Sequence, residues 1–209
     1  MAKLTMTTFL TLDGVMQAPG AAGEDRSGGF SHGGWLVPFA DADMGQFMTE
    51  VFARADAFLL GRRTYEIFAV YWPHITDPND RITQALNTLP KHVASKTLNG
   101  VTWDRFAASP RRRRGGTDAE AGVRARDSGT RQWRTRPNPD PARSRRRVSL
   151  TVVPVVLGTG RRLFESGTVP TAFERVTTRT TSTSINTYRP TGRPQYGSFA
   201  LDDAAKDSR

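Results

Sequence analysis

The sequence predicts an α/β fold, a three-layer αβα sandwich around a mixed, mainly parallel sheet with an antiparallel C-terminal edge. Three observations lead there. Short apolar runs alternate with segments of helical period through the first half of the chain. Turn residues such as Asp13-Gly14 and Gly61 close the apolar runs. Stretches rich in threonine and valine dominate the end. Helices interleaved with strands and followed by strands alone suit a layered sheet with an antiparallel edge.

The elements follow in order. Residues 3–12 alternate loosely, with Leu4, Met6, Thr8 and Leu10 on one side and Thr5, Thr7 and Phe9 on the other, which predicts a buried first strand. Residues 19–34 are glycine-rich and form a surface loop. Asp41 or Asp43 can cap a helix. Beyond it Met44, Phe47, Met48, Val51 and Phe52 make an apolar stripe at helical spacing. Ala57 to Leu60 is short, wholly apolar and bounded by Gly61, as expected of a central strand. Thr64 to Tyr71 reads as a second helix ended by Pro73, 80–89 as a third, and Lys91 to Ser95 as a strand. Leu150 to Leu157 is β-branched and apolar, and 172–178 and 183–189 are two further strands. Trp35, Tyr71 and Trp72 are expected in the core or at a dimer interface, and His32, His74 and His92 in surface or loop positions.

The chain has 209 residues, enough for one domain with a substantial core. Residues 1–200 are expected to form that domain and 201–209 a frayed tail. There is no cysteine, which excludes a disulfide framework and a thiolate metal site. The histidines show no metal-ligand spacing. No signal-like segment stands at the N-terminus, and no run approaches the length of a membrane span. The expected setting is cytoplasmic, without membrane contact.

The formal charge of +10 suggests a nucleic-acid partner until its distribution is examined. Residues 107–149 hold thirteen arginines, no lysine and four acids. The remaining 17 basic and 16 acidic residues nearly cancel. One segment makes the chain basic. Its only large apolar side chains are Val123, Trp133 and Val148, and it carries four prolines and four glycines. That composition predicts disorder.

Several short motifs carry chemistry. Leu60-Gly61-Arg62-Arg63-Thr64 stands where a strand ends and a helix begins, so free N–H groups, a close backbone approach and a guanidinium fork suit a phosphate. The same residues also suit an ordinary strand–helix turn with surface arginines. Ser95-Lys96-Thr97 places two hydroxyls and an ammonium after a strand, where they form either an anion cradle or a solvated strand end. Asp13-Gly14 closes the first strand. Asp13 could bind a substrate N–H or supply a proton, or simply bond its own turn. Gly158-Thr159-Gly160 with Arg161 and Arg162 suits a substrate phosphate or a strand-ending turn.

Four segments, in this order and spacing, resemble the C-terminal reductase domain of the riboflavin-biosynthesis protein RibD and its stand-alone dihydrofolate-reductase-like relatives. They are Thr11-Leu12-Asp13-Gly14-Val15-Met16-Gln17-Ala18-Pro19, Leu60 to Glu66, Pro90 to Thr97, and Pro154 to Phe164. The resemblance covers 3–104 and 150–200. It implies a dihydrofolate-reductase-like sandwich, a homodimer, and NADPH-dependent reduction of a pyrimidine- or pterin-like substrate. The reaction it names is that of 5-amino-6-(5-phosphoribosylamino)uracil reductase in riboflavin biosynthesis. It implies cofactor contacts at Gly14, Gly61, Arg62, Arg63, Thr64, Ser95, Lys96 and Thr97. It places Asp13 at the junction of nicotinamide and substrate, as the candidate catalytic residue, and a substrate phosphate at Gly158, Gly160 and Arg161.

The resemblance fails over 107–149. There the family has an apolar strand, a glycine-rich turn for the NADPH pyrophosphate and a helix. This segment has about the family's length but none of that pattern. Arg131 to Arg147 reads like GC-rich coding DNA translated out of frame. Two compensating frameshifts are expected, the first between about residues 105 and 130 and the second near Ser149. The alternative is an arginine-rich insert that folds on RNA or DNA with strong salt dependence. Loss of a strand and a helix predicts a poorly folded chain with little reductase activity, an inactive relative with a damaged cofactor site.

Overall fold

The computed structural model describes residues 4–95, 97–98, 103, 106–108 and 146–198. Among the described residues, seven strands and three α-helices follow one another: β1 (Leu4–Leu10), α1 (Ala42–Ala53), β2 (Phe58–Gly61), α2 (Arg62–Tyr71), α3 (Arg81–Thr88), β3 (Lys91–Ala94), β4 (Phe106–Ala108), β5 (Arg146–Val152), β6 (Ala172–Thr180) and β7 (Ser184–Gly192). The strands lie in two sheets, ordered β1-β5-β7-β6 and β2-β3-β4. The smaller sheet is wholly parallel, and β1 pairs parallel with β5. Among the described strands, antiparallel pairing is between β5 and β7 and between β6 and β7, the expected C-terminal edge.

Local chemistry sets the helix starts. Asp41, not Asp43, caps α1, accepting from the Met44 N–H at 2.8 Å. Asp80 caps α3, accepting from the Ile82 N–H at 2.9 Å. The apolar stripe of α1 faces inward, with Met44 and Phe47 buried. Two apolar clusters form the core. Val15, Ala18, Phe30, Trp35, Leu36, Met44 and Val153 make one; Leu60, Tyr65, Leu86, Val93 and Trp103 make the other.

The structure moves several boundaries. The strand expected at 150–157 begins earlier, at Arg146, and ends at Val152. Val148 and Ser149 are buried, and Ser149 Oγ lies 3.0 Å from Thr187 Oγ1 across the strand pair. Beyond it Pro154 cannot donate a ladder hydrogen bond, and Val156 is exposed. Arg146–Ser149, and Phe106–Ala108 in β4, therefore belong to regular structure and narrow the arginine-rich segment; 109–145 and the expected tail at 201–209 lie outside the described residues. The 19–34 loop is only partly a surface feature: Phe30 is buried in the first cluster. Trp35 is core as expected, its indole N–H donating to the Gln17 carbonyl at 2.7 Å. Tyr71 is exposed, and His92 lies within β3, not in a loop. Lys91 was not expected inside, yet it is fully buried. Its Nζ donates to the Leu89 carbonyl at 3.1 Å and stands 4.4 Å from the centre of a Trp103 ring.

Candidate functional site

Leu10 and Val152 are register partners at the carboxyl ends of β1 and β5. The segments after them leave from one edge and run together. Leu12 N–H donates to the Val155 carbonyl at 2.8 Å, Met16 N–H to the Arg161 carbonyl at 2.8 Å, and Leu163 N–H to the Gly14 carbonyl at 3.1 Å. Asp13 ties this edge together. Its carboxylate accepts from Thr11 Oγ1 at 2.6 Å, from the backbone N–H groups of Leu157 and Gly158 at 3.2 and 2.9 Å, and from an Arg162 guanidinium nitrogen at 3.1 Å. Arg162 Nε also donates to the Asp13 carbonyl at 2.8 Å. The Thr11 hydroxyl, then the two backbone donors and Arg162, outweigh burial and hold this carboxyl far below the usual carboxylate range. Asp13 is thus an ionised acceptor whose oxygens already bind the Leu157–Arg162 loop.

Gly160 explains part of that loop by shape. Its φ is +107°, and an added Cβ would stand 2.7 Å from Phe30 and 2.8 Å from Val15. Only glycine meets both conditions.

The second edge is the carboxyl end of the small sheet, where Gly61 on β2 lies opposite Ala94 on β3. Gly61 is the N-cap of α2, with no side chain capping the turn. Arg62 and Arg63 occupy the first turn, which contains no acid. Two cations at a helix N-terminus oppose its dipole, so the placement favours an anion nearby. Arg62 Nε is 3.6 Å from Glu66, an exposed pair one turn apart. On the neighbouring strand, Ser95 Oγ accepts from the N–H groups of Thr97 and Leu98 at 3.1 and 3.0 Å. Its acceptor positions serve the turn, and its proton is what it can offer an anion. Lys96 lies outside the described residues.

The glycine-rich loop joins the two edges. Ser27 Oγ accepts from Arg63 at 2.7 Å and from Arg161 at 2.6 Å. Asp25 pairs with Arg161 and stands 3.7 Å from Arg63. Burial raises the Asp25 pKa, but the bonds from Ser27 and Arg161 overcome it and the net shift is downward. Gln17, nearly buried, anchors this loop. Its Nε2 donates to the carbonyls of Asp25 and Ser27 at 3.1 and 3.0 Å, and its Oε1 accepts from the Arg161 N–H at 3.0 Å. Arg63 of the expected cofactor turn and Arg161 of the expected substrate loop therefore meet at one point. Sequence reasoning passed over Asp25 and Ser27, since nothing local distinguishes them in a polar loop. Gln17 lies inside the Thr11–Pro19 motif, and that is its only signal in the sequence.

A separate apolar cavity of about 390 Å³ lies on the β5-β7-β6 face, lined by Val148, Leu150, Phe164, Phe173 and Tyr188 among others. No candidate site residue lines it. Its walls are mainly apolar and carry no cationic side chain, so the strand ends are the better site for an anion. Among the described residues no histidine and carboxylate group could hold a metal ion, and no helix is long and apolar enough to cross a membrane.

Comparison with known proteins gives one family and one fold. No curated protein matches the chain. A solved structure from Shewanella sp. PV-4, provisionally named a riboflavin biosynthesis protein, superposes with a TM-score of 0.53 at 16% identity, covering 90% of this chain and 99% of its own. At that identity it supports the architecture, a mixed α/β fold of the dihydrofolate-reductase-like kind. The RibD C-terminal domain profile matches residues 2–105, which include the Asp13-Gly14 turn, the Gly61 turn and the Ser95 strand end. Residues 2–105 thus belong to the RibD C-terminal domain family.

Proposed function

We propose that this protein is an NADPH-dependent reductase acting on a pyrimidine- or pterin-like substrate, in riboflavin-type metabolism. The observation that carries this reading is the convergence of the two strand-end edges through Arg63, Asp25, Ser27 and Arg161. Parallel sheets bind ligands outside the carboxyl ends of their strands, and all four motifs lie there.

The residues present fit an anionic dinucleotide. The uncapped α2 turn at Gly61, with Arg62, Arg63 and Thr64, suits one phosphate. Ser95, Thr97 and Lys96 suit the 2′-phosphate that separates NADPH from NADH. The Asp13-Gly14 turn holds the Leu157–Arg162 loop, whose Gly158, Gly160 and Arg161 suit a substrate phosphate. When bound, NADPH supplies the hydride. The protein's part is to hold ring against ring, and orientation of this kind can lower a barrier by about 7–11 kcal/mol. Asp13 keeps the Leu157–Arg162 loop seated, which makes it an organiser of the substrate side before any role in proton supply. The homodimer and the cytoplasmic setting belong to the same reading.

A second reading is an inactive relative. It is favoured by residues 107–149, which lack the glycine-rich pyrophosphate turn expected there. Thermal unfolding with and without NADPH, together with NADPH oxidation assays on pyrimidine and pterin substrates, separates the two. A cooperative transition raised by NADPH, and weakened for NADH, supports the dinucleotide site. Turnover then decides for the enzyme, and binding without turnover decides for the inactive relative. A transition that NADPH does not move overturns the cofactor assignment.

A further inference from the structure

We propose that Arg63 and Arg161 form a single anion clamp that Asp25 holds shut, and that a phosphate group opens it by replacing the Asp25 carboxylate. This deepens the reductase reading and rests on it only for the identity of the molecule carrying the phosphate.

The two guanidinium groups come from different elements, one from the first turn of α2 and one from the loop after β5. They meet at the same hydroxyl, Ser27, and the same carboxylate, Asp25. One carboxylate cannot neutralise two arginines, so the cluster keeps a positive charge. Nor does it fill the clamp. Arg161 engages Asp25 directly, whereas Arg63 is 3.7 Å away, beyond hydrogen-bond reach. A phosphate offers more oxygens than a carboxylate and can meet both forks at once. The side chains of Arg63 and Arg161 are 43% and 23% exposed, so the clamp opens to solvent. Asp25 is 11% exposed and sits between them.

The occupant is removable. Asp25 and Ser27 ride on the glycine-rich loop, with Gly28 and Gly29 following in left-handed conformations. Gln17 holds the loop only through the backbone carbonyls of Asp25 and Ser27, not through the Asp25 carboxylate. Phosphate entry therefore unseats the Asp25–Ser27 segment, and ligand binding and loop release become one event. The clamp also joins the expected cofactor turn to the expected substrate loop, so filling it fixes the distance between them.

The test uses the whole chain and three probes: inorganic pyrophosphate, NADPH and ribose 5-phosphate. Calorimetric titration with pyrophosphate should show Asp25→Asn binding about tenfold tighter than the parent, since a competing charge-assisted contact is gone. Arg161→Gln and Arg63→Gln should each bind about tenfold weaker. On the unaltered protein, saturating pyrophosphate should speed tryptic cleavage after Arg26, which lies between Asp25 and Ser27. Asp25→Asn binding pyrophosphate equally or more weakly while folded overturns the proposal. So does protection of, or no change at, the Arg26 bond, a readout that needs no variant to fold. If pyrophosphate opens the loop and NADPH does not, the clamp stands and a phosphate of the dinucleotide is not its occupant. Response to ribose 5-phosphate alone among the two organic probes assigns the clamp to the substrate side.

Discussion

The carboxyl ends of β1 and β5 are closed, and those of β2 and β3 are open. At the first, Asp13 accepts from four partners and the two chain segments are stitched by backbone bonds. At the second, the α2 turn begins on an uncapped glycine with two arginines and no acid. The first edge has satisfied its polar groups internally and works as scaffold. The second leaves positive charge and first-turn N–H groups for something else to satisfy. Arg63 and Arg161 connect them, so the open edge draws its temporary anion, Asp25, from a loop anchored on the closed one.

This contrast can be broken in graded ways. The largest effect should come from the core beneath the open edge. Leu86 is almost fully buried in the second cluster, and Leu86→Ala should cost about 2–5 kcal/mol in denaturant unfolding. Gly160→Ala should follow, at about 1–3 kcal/mol, because the added methyl meets Phe30 and Val15 at a left-handed φ. It should loosen the closed edge and, because Arg161 is the next residue, weaken pyrophosphate binding at the clamp as well. If binding is unchanged, the clamp does not depend on the seating of that loop.

Asp13 gives a pH-dependent test. Its folded pKa lies below the ordinary unfolded value of about 3.9. Its stabilisation is therefore present at neutral pH and is lost as pH falls from about 4 toward the folded value. Asp13→Asn should flatten that acid limb in thermal melts between about pH 4 and pH 2. An unchanged limb would mean that the loop is held by its backbone bonds alone. The smallest effect belongs to the open edge. Arg62 makes only an exposed pair with Glu66 one turn away, so Arg62→Ala should change stability by less than about 0.5 kcal/mol. Any marked effect on NADPH affinity would then be a ligand effect.

Much of the fold could be read from short stretches of sequence. The stripe on α1, the Asp caps, the Gly61 turn and the threonine-rich hairpin each depend on residues a few positions apart, where period and capping chemistry act. Boundaries were harder where composition misled. Arg146 and Arg147 look unlike strand residues, yet they continue β5, because pairing with β1 and burial of Val148 and Ser149 decide there.

The sequence by itself determined which turns carry glycine, which helix starts with arginines, and that one stretch departs from the rest in composition. Only the tertiary structure decided what those groups do to one another. It placed the Asp13 carboxylate against Leu157, Gly158 and Arg162, and brought Asp25 to Arg161 across 136 positions. Contacts of that range leave no periodic trace in sequence. They follow from which strand ends the sheet sets side by side, and that is settled by pairing and burial over the whole chain.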